Sequence, residues 1–186
     1  MSEAMDSIDV TKKGAALAAA EAGRFDALPI YKPEIECASR EDIRALQLEK
    51  LKETVAYAYE RVPYYRQKLD EMGVAPSDIQ TLEDVRKLPF TDKAVLRETF
   101  PFGLFAVPLD DIRELHSSSG TTGKPVVVGY TDDDMDMWSE CIARLVQMAG
   151  VVPGDIAQMA FGYGMFTGAL GLHNGLEKVG AAIVPS

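Results

Sequence analysis

His116-Ser117-Ser118-Ser119-Gly120-Thr121-Thr122-Gly123-Lys124-Pro125 lies between two short β-like runs, Ile112 to His116 and Val126 to Tyr130. Its glycines permit tight bends that turn successive backbone N–H groups toward one anion, while the hydroxyls and the Lys124 ammonium converge on the same point. Charge-assisted hydrogen bonds of this kind contribute roughly 1.5–3 kcal/mol each. The stretch therefore reads as a phosphate-binding loop, and Ser118, Ser119, Gly120, Thr121, Thr122, Gly123 and Lys124 are its candidate ligands.

The spacing separates this loop from the Walker A pattern, which places four residues between its first glycine and a Gly-Lys pair, then Ser or Thr opening a helix. Here Gly120 and Gly123 are two residues apart, and Lys124 is followed by Pro125 and the β-branched run Val126-Val127-Val128. That run favours a strand. A Ser/Gly linker is the plain alternative, but linkers seldom hold a Thr-Thr-Gly-Lys-Pro core between strands. The two runs flanking the loop are expected to pair as a hairpin with the loop at its tip.

Downstream of the hairpin, Thr131 caps an expected helix that starts with Asp132-Asp133-Asp134 and runs through Trp138, Ile142, Leu145 and Met148 to Gly150. Three successive aspartates could bind a metal, but at a helix N-terminus they complement the dipole, and no metal ligand is assigned. Ile156 to Phe161 reads as a buried strand, Phe166 to Val179 as a helix and Ala181 to Val184 as a second apolar strand. This order is a βαβ unit with a parallel sheet and a right-handed crossover. Ligands in such units gather at the carboxyl ends of strands. That rule selects Phe161, Gly162, Tyr163, Gly164, Phe166 and Thr167, where glycines leave room for a flat ligand and aromatics supply its walls. A glycine-rich turn packed by core aromatics is the alternative.

Upstream, residues 1–24 read as a frayed helix or disordered tail. Phe25 to Cys37, with Pro29 and Pro33, is expected to run extended. Ser39 caps an amphipathic helix from Arg40 that Pro63 ends or kinks, and a further helical piece stops at Gly73. The tyrosines at 57, 59, 64 and 65 fit half-buried packing better than a ligand face. Short helical segments are expected near Thr81–Val85 and Lys93–Glu98, giving a helical collar ahead of the sheet.

Bulk properties bound the function. The chain has 186 residues, enough for a substantial core. Its 19 Lys and Arg against 29 Asp and Glu leave a net charge of −10, which argues against nucleic acid or an anionic membrane as partner. An anionic ligand must be held by local geometry. Cys37 and Cys141 form no CxxC and have no His cluster nearby, so neither a disulfide framework nor a zinc site is expected, and a cytoplasmic setting is. No run has the length or apolarity of a membrane span or a secretory leader.

Several separated stretches resemble one family. The loop Ser118–Pro125 matches the phosphate loop of the adenylate-forming superfamily of acyl-CoA synthetases and ligases. Within it, Val62-Pro63-Tyr64-Tyr65-Arg66, Leu82-Glu83-Asp84-Val85 with Leu88-Pro89-Phe90, His116, Val127-Val128-Gly129-Tyr130-Thr131, and Gly162-Tyr163-Gly164 with Phe166-Thr167-Gly168 are similar to the phenylacetate-CoA ligase family. The resemblance spans Ala38 to Ser186. It departs at Phe161, Met165 and Ala169, where Tyr, Leu and Gly are common in the family.

The resemblance implies an α/β fold: an N-terminal helical segment, then the start of a parallel or mixed sheet of an adenylate-forming large domain, with 25–186 its incomplete N-terminal part. It implies a two-step ligase in which a carboxylate attacks the α-phosphate of ATP, giving an acyl-adenylate, and the thiol of coenzyme A then displaces AMP. Residues 118–124 would hold the β- and γ-phosphates, with Mg2+ sharing their charge, and the segment from Phe161 would face a small aromatic carboxylic acid. The catalytic lysine is expected beyond Ser186, so the chain is expected to be truncated and inactive alone. A homo-oligomer stays open, as does a non-catalytic binding or interaction module that keeps the loop.

Overall fold

The computed structural model describes residues 30–118, 125–165 and 167–185. The first structured piece corrects the expectation of extended chain up to Cys37: Pro33–Glu36 forms a one-turn helix, α1. Pro33 occupies a first-turn position, where its missing N–H costs nothing. The Glu36 carboxylate turns back to accept the Lys32 N–H at 2.8 Å.

Helix α2, Arg40–Arg61, starts where Ser39 Oγ accepts the Asp42 N–H at 3.1 Å. It stops at Val62, whose extended backbone precedes Pro63, the first residue of α3, Pro63–Met72. Gly73, at φ 67°, ends α3 in the left-handed conformation that a side chain disfavours. Two 3-10 turns follow, Pro76–Asp78 and Leu82–Lys87, then the short helix α4, Lys93–Glu98. Asp92 caps α4 by accepting the Ala94 and Val95 N–H groups at 2.9 and 3.1 Å. Helices α2 and α3 and the residues beside the two 3-10 turns form a small core of Val55, Leu69 and Ile79, with Leu51, Tyr59, Val74 and Leu88 packed around it.

Strands β1, Glu114–Ser117, and β2, Val127–Tyr130, pair antiparallel with Ser117 opposite Val127 and Glu114 opposite Tyr130. Helix α5, Asp132–Met148, begins with a capping box: Thr131 Oγ1 accepts the Asp134 N–H at 3.2 Å, and the Asp134 carboxylate accepts the Thr131 N–H at 2.9 Å. Asp134, the third of the three aspartates, thus caps the helix start, and all three lie in its first turn, in line with dipole complementation. Strand β3, Ile156–Gln158, helix α6, Thr167–Val179, and strand β4, Ala182–Val184, form the βαβ unit, with β3 and β4 parallel and Ile156 opposite Ala182. Among the described residues, the hairpin and the parallel pair are separate two-stranded sheets.

The larger core lies between α5 and α6 and beneath β3 and β4: Ala143, Val146, Met159, Ala169, Leu176, Val179 and Ala181 are buried. The two helices approach closely because α6 presents glycines. A Cβ at Gly171 would lie 2.1 Å from Trp138 Cζ2, and one at Gly175 would lie 2.2 Å from Ile142 Cγ2. Outside this core, Lys32 pairs with Glu140 and Arg144 with Glu36, pinning the α1 segment onto α5. Among the described residues no helix is long and apolar enough to cross a membrane.

Candidate functional site

The hairpin ends in a closed neck. Ser118 N–H donates to the Val126 carbonyl at 3.0 Å, and Ser118 Oγ accepts the Val126 N–H at 3.0 Å. The Ser118 hydroxyl is thereby fixed as an acceptor, and its proton is left to donate elsewhere. Ser119, Gly120, Thr121, Thr122, Gly123 and Lys124, together with Phe166 and the 1–24 tail, lie outside the described residues. The neck defines where that loop leaves and re-enters the fold.

A cleft of about 210 Å³ opens beside the neck, lined by His116, Ser117, Ser118, Val126, Val128 and Thr167. Two candidates from separate stretches of sequence, Ser118 and Thr167, therefore meet. Thr167 is the first residue of α6, so the cleft lies at the end of that helix where unpaired N–H groups and the dipole favour an anion. The volume is below the roughly 300 Å³ at which ligand pockets for whole small molecules begin. The cleft has room for a small group only, and the surface exposed in it is mostly apolar.

The segment from Phe161 to Met165 divides in two. Phe161, Gly162, Gly164 and Met165 are exposed, Phe161 by 48%. Tyr163 turns inward: its ring packs against the α5–α6 core, its hydroxyl lies 2.8 Å from His173 Nδ1, and the two rings meet edge to face at 5.6 Å. The aromatic wall expected of this stretch thus consists, in its described part, of an open Phe161 and a Tyr163 tied to α6.

His116 joins this segment to the hairpin and was singled out by sequence only for its position before the loop. It is 2% exposed, the one buried polar or charged residue among those described. Its Nδ1 lies 3.1 Å from the Met165 carbonyl and its Nε2 lies 3.0 Å from Glu114 Oε2. Ser117 N–H donates to the same Met165 carbonyl at 3.0 Å. Tyr130 and Trp138 stack at 5.1 Å and both present their faces or edges to the imidazole, at 5.5 and 5.8 Å. Burial, then the nearby Asp134 carboxylate, pushes the Tyr130 phenol up.

A second, larger hollow of about 600 Å³, which shares Val128 with the first, lies between Tyr57 of α2, Leu96 of α4, Phe105, Val127 and Gly129. Its lining is mostly apolar and includes none of the candidate site residues. Tyr59 and Tyr65 are engaged in packing contacts, with their hydroxyls on Asp70 at 2.7 Å and Thr91 at 3.0 Å, as expected for structural tyrosines. Among the described residues no group of three or more His, Cys, Asp or Glu could hold a metal ion.

This arrangement of helical collar, loop-bearing hairpin and βαβ unit is the fold of the N-terminal region of adenylate-forming CoA ligases. Solved 2-hydroxyisobutyryl-CoA ligase structures superpose on it: an open conformation in complex with 2-HIB-AMP and CoA matches with a TM-score of 0.76 at 30% identity, over 82% of this chain and 36% of that one. The thioesterification-state structure matches with a TM-score of 0.78 at 30% identity, over 86% of this chain and 36% of that one.

In sequence, the homologues are named more narrowly. Phenylacetate-coenzyme A ligase of Thermus thermophilus is 54% identical over 156 residues, 84% of this chain and 35% of the relative. Its namesake from Escherichia coli is 50% identical over 151 residues, 81% of this chain and 35% of the relative. The chain spans about a third of the length of the curated relatives it matches. No protein-family model matches the chain.

Proposed function

We propose that residues 25–186 are the N-terminal part of the large domain of an ATP-dependent ligase that joins an aryl acid, of the phenylacetate type, to coenzyme A through an acyl-adenylate. One observation carries this reading. The neck of the loop at Ser118 and the helix start at Thr167 line one small cleft, so the loop suited to phosphates stands beside the segment suited to the acid.

In this reading Ser118, Ser119, Gly120, Thr121, Thr122, Gly123 and Lys124 cradle the β- and γ-phosphates, and Phe161, Gly162, Tyr163, Gly164, Phe166 and Thr167 border the acid. Preorganised donors aimed at charge that develops in the transition state are the largest catalytic contribution a protein makes to such a reaction. This segment would supply donors and positioning, with the catalytic lysine provided from elsewhere. Magnesium would share the charge of the ATP phosphates. The cytoplasm, where ATP and CoA are abundant, is the corresponding location.

The reading is tested by a graft. The matching third of the Thermus thermophilus relative is replaced by residues 30–185 of this chain, and phenylacetate-dependent exchange of pyrophosphate into ATP is measured. Exchange is expected, and Lys124→Ala should reduce pyrophosphate binding by roughly ten- to a hundredfold, the loss of one charged contact. A folded graft without exchange for phenylacetate or other aryl acids would sink the proposal and favour a non-catalytic module.

A further inference from the structure

We propose that His116 is a positioning residue that latches the segment before α6 onto the strand leading into the loop. The inference rests on the preceding reading only in naming the two joined pieces as the phosphate side and the acid side of one site. The latch itself is a matter of geometry.

Met165 is 62% exposed, so its backbone is not held by burial of the residue. It is held through its carbonyl, which faces two donors from β1: the Ser117 N–H at 3.0 Å and His116 Nδ1 at 3.1 Å. The second ring nitrogen faces Glu114 Oε2 at 3.0 Å, two residues back on the same strand. The imidazole can therefore rotate in neither direction without losing a partner. Tyr130 and Trp138 close on the ring edge to face, and Trp138 in turn rests against Gly171 of α6.

Contacts thus run from the loop stem through His116 to both ends of one connection: the Met165 carbonyl just before α6 and the Trp138 face under its second turn. An apolar residue of similar volume would fill the space but leave the carbonyl with one donor. The Nδ1 contact, with the Ser117 N–H, fixes the Met165 carbonyl against β1, and the Nε2 contact with Glu114 fixes the ring itself.

The two nitrogens can be removed separately. His116→Asn keeps an amide group near the Nδ1 position, within reach of Met165, and abandons Glu114. His116→Gln keeps one near the Nε2 position and abandons Met165. Hydrogen–deuterium exchange is followed by mass spectrometry on the ligand-free 186-residue chain and both variants, over peptides covering Ser117 and residues 159–168.

His116→Gln should exchange at these peptides about three- to tenfold faster than wild type, the effect of one lost hydrogen bond on local opening. His116→Asn should stay close to wild type. Equal exchange in the two variants, whether both fast or both slow, would mean that His116 merely fills space, and would overturn the proposal. Pyrophosphate binding is measured on the same samples by calorimetry. An Asn–Gln split in a chain that binds no pyrophosphate would leave the latch standing and remove the functional reading instead.

Discussion

The helical collar and the α5–α6 unit hold themselves together by different means. In the collar only Val55, Leu69 and Ile79 are buried in the core cluster, and its shape is set by short-range devices: the Ser39, Asp92 and Thr81–Asp84 caps, Pro63 between two helices, and Gly73. In the α5–α6 unit seven buried residues drawn from positions 143 to 181 meet, and the helices close only because Gly171 and Gly175 lack side chains. The collar is assembled locally and the site-bearing unit globally. Damage to the second should therefore reach the cleft, whereas equal damage to the first should not.

The strongest test of this contrast is Gly171→Val, which forces branched carbons into the Trp138 indole. It is expected to destabilise the chain by about 3 kcal/mol, read by urea unfolding with Trp138 fluorescence, and to weaken pyrophosphate binding under conditions where the chain is still folded. Ile79→Ala should cost a similar or slightly smaller amount, about 2–3 kcal/mol, yet leave pyrophosphate affinity unchanged. Loss of affinity in Ile79→Ala would erase the distinction between the two regions.

Thr131→Ala removes the N-cap of α5 and should cost about 1 kcal/mol, measured in the same way. Arg113→Ala breaks a pair with Asp132 in which both side chains are mostly exposed, 65% and 72%. It should change stability by less than about 0.5 kcal/mol.

A pH measurement sharpens the same comparison. The Lys87 ammonium first, then the Gln80 and Thr81 N–H groups, hold the Asp84 carboxyl well below the usual aspartate range. A carboxyl depressed on folding contributes stability that is fully present above its unfolded value and is lost as pH falls toward the folded one. Acid should thus loosen the turn at Leu82–Lys87 only below the ordinary aspartate range. Asp84→Asn should remove that part of the acid dependence, as followed by unfolding midpoints from about pH 5 down to about pH 1.

The collar's local character also explains why so much of it was legible in sequence. Ser39, Pro63, Gly73 and Asp92 act on backbone groups within four residues, and helix limits follow from them. Thr131 with Asp134 was legible for the same reason, whereas the hairpin and the βαβ order followed from the succession of apolar runs and the breaks between them. The α1 turn was not, because Pro33 serves a helix start as readily as an extended chain, and the deciding bond from Glu36 to Lys32 is invisible without coordinates.

The cleft was legible only in part. Residue types pointed to Ser118 and Thr167 separately, but nothing in either stretch specified that they meet. The inward turn of Tyr163 onto His173 and the bond from His116 to a backbone carbonyl 49 positions away carry no local signature. The close helix approach had a sign that the sequence reading passed over, the four-residue spacing of Gly171 and Gly175 on the α5-facing side of α6.

The neck between Ser118 and Val126 would have a thermodynamic consequence for a ligand held by the loop as proposed. Bringing the ends of a segment together costs entropy that grows only slowly with its length. Here the cost is met during folding, by β-pairing that continues through the Ser118 and Val126 groups. A ligand entering the loop need not supply the free energy of closure, and more of its contact energy is left to appear as affinity.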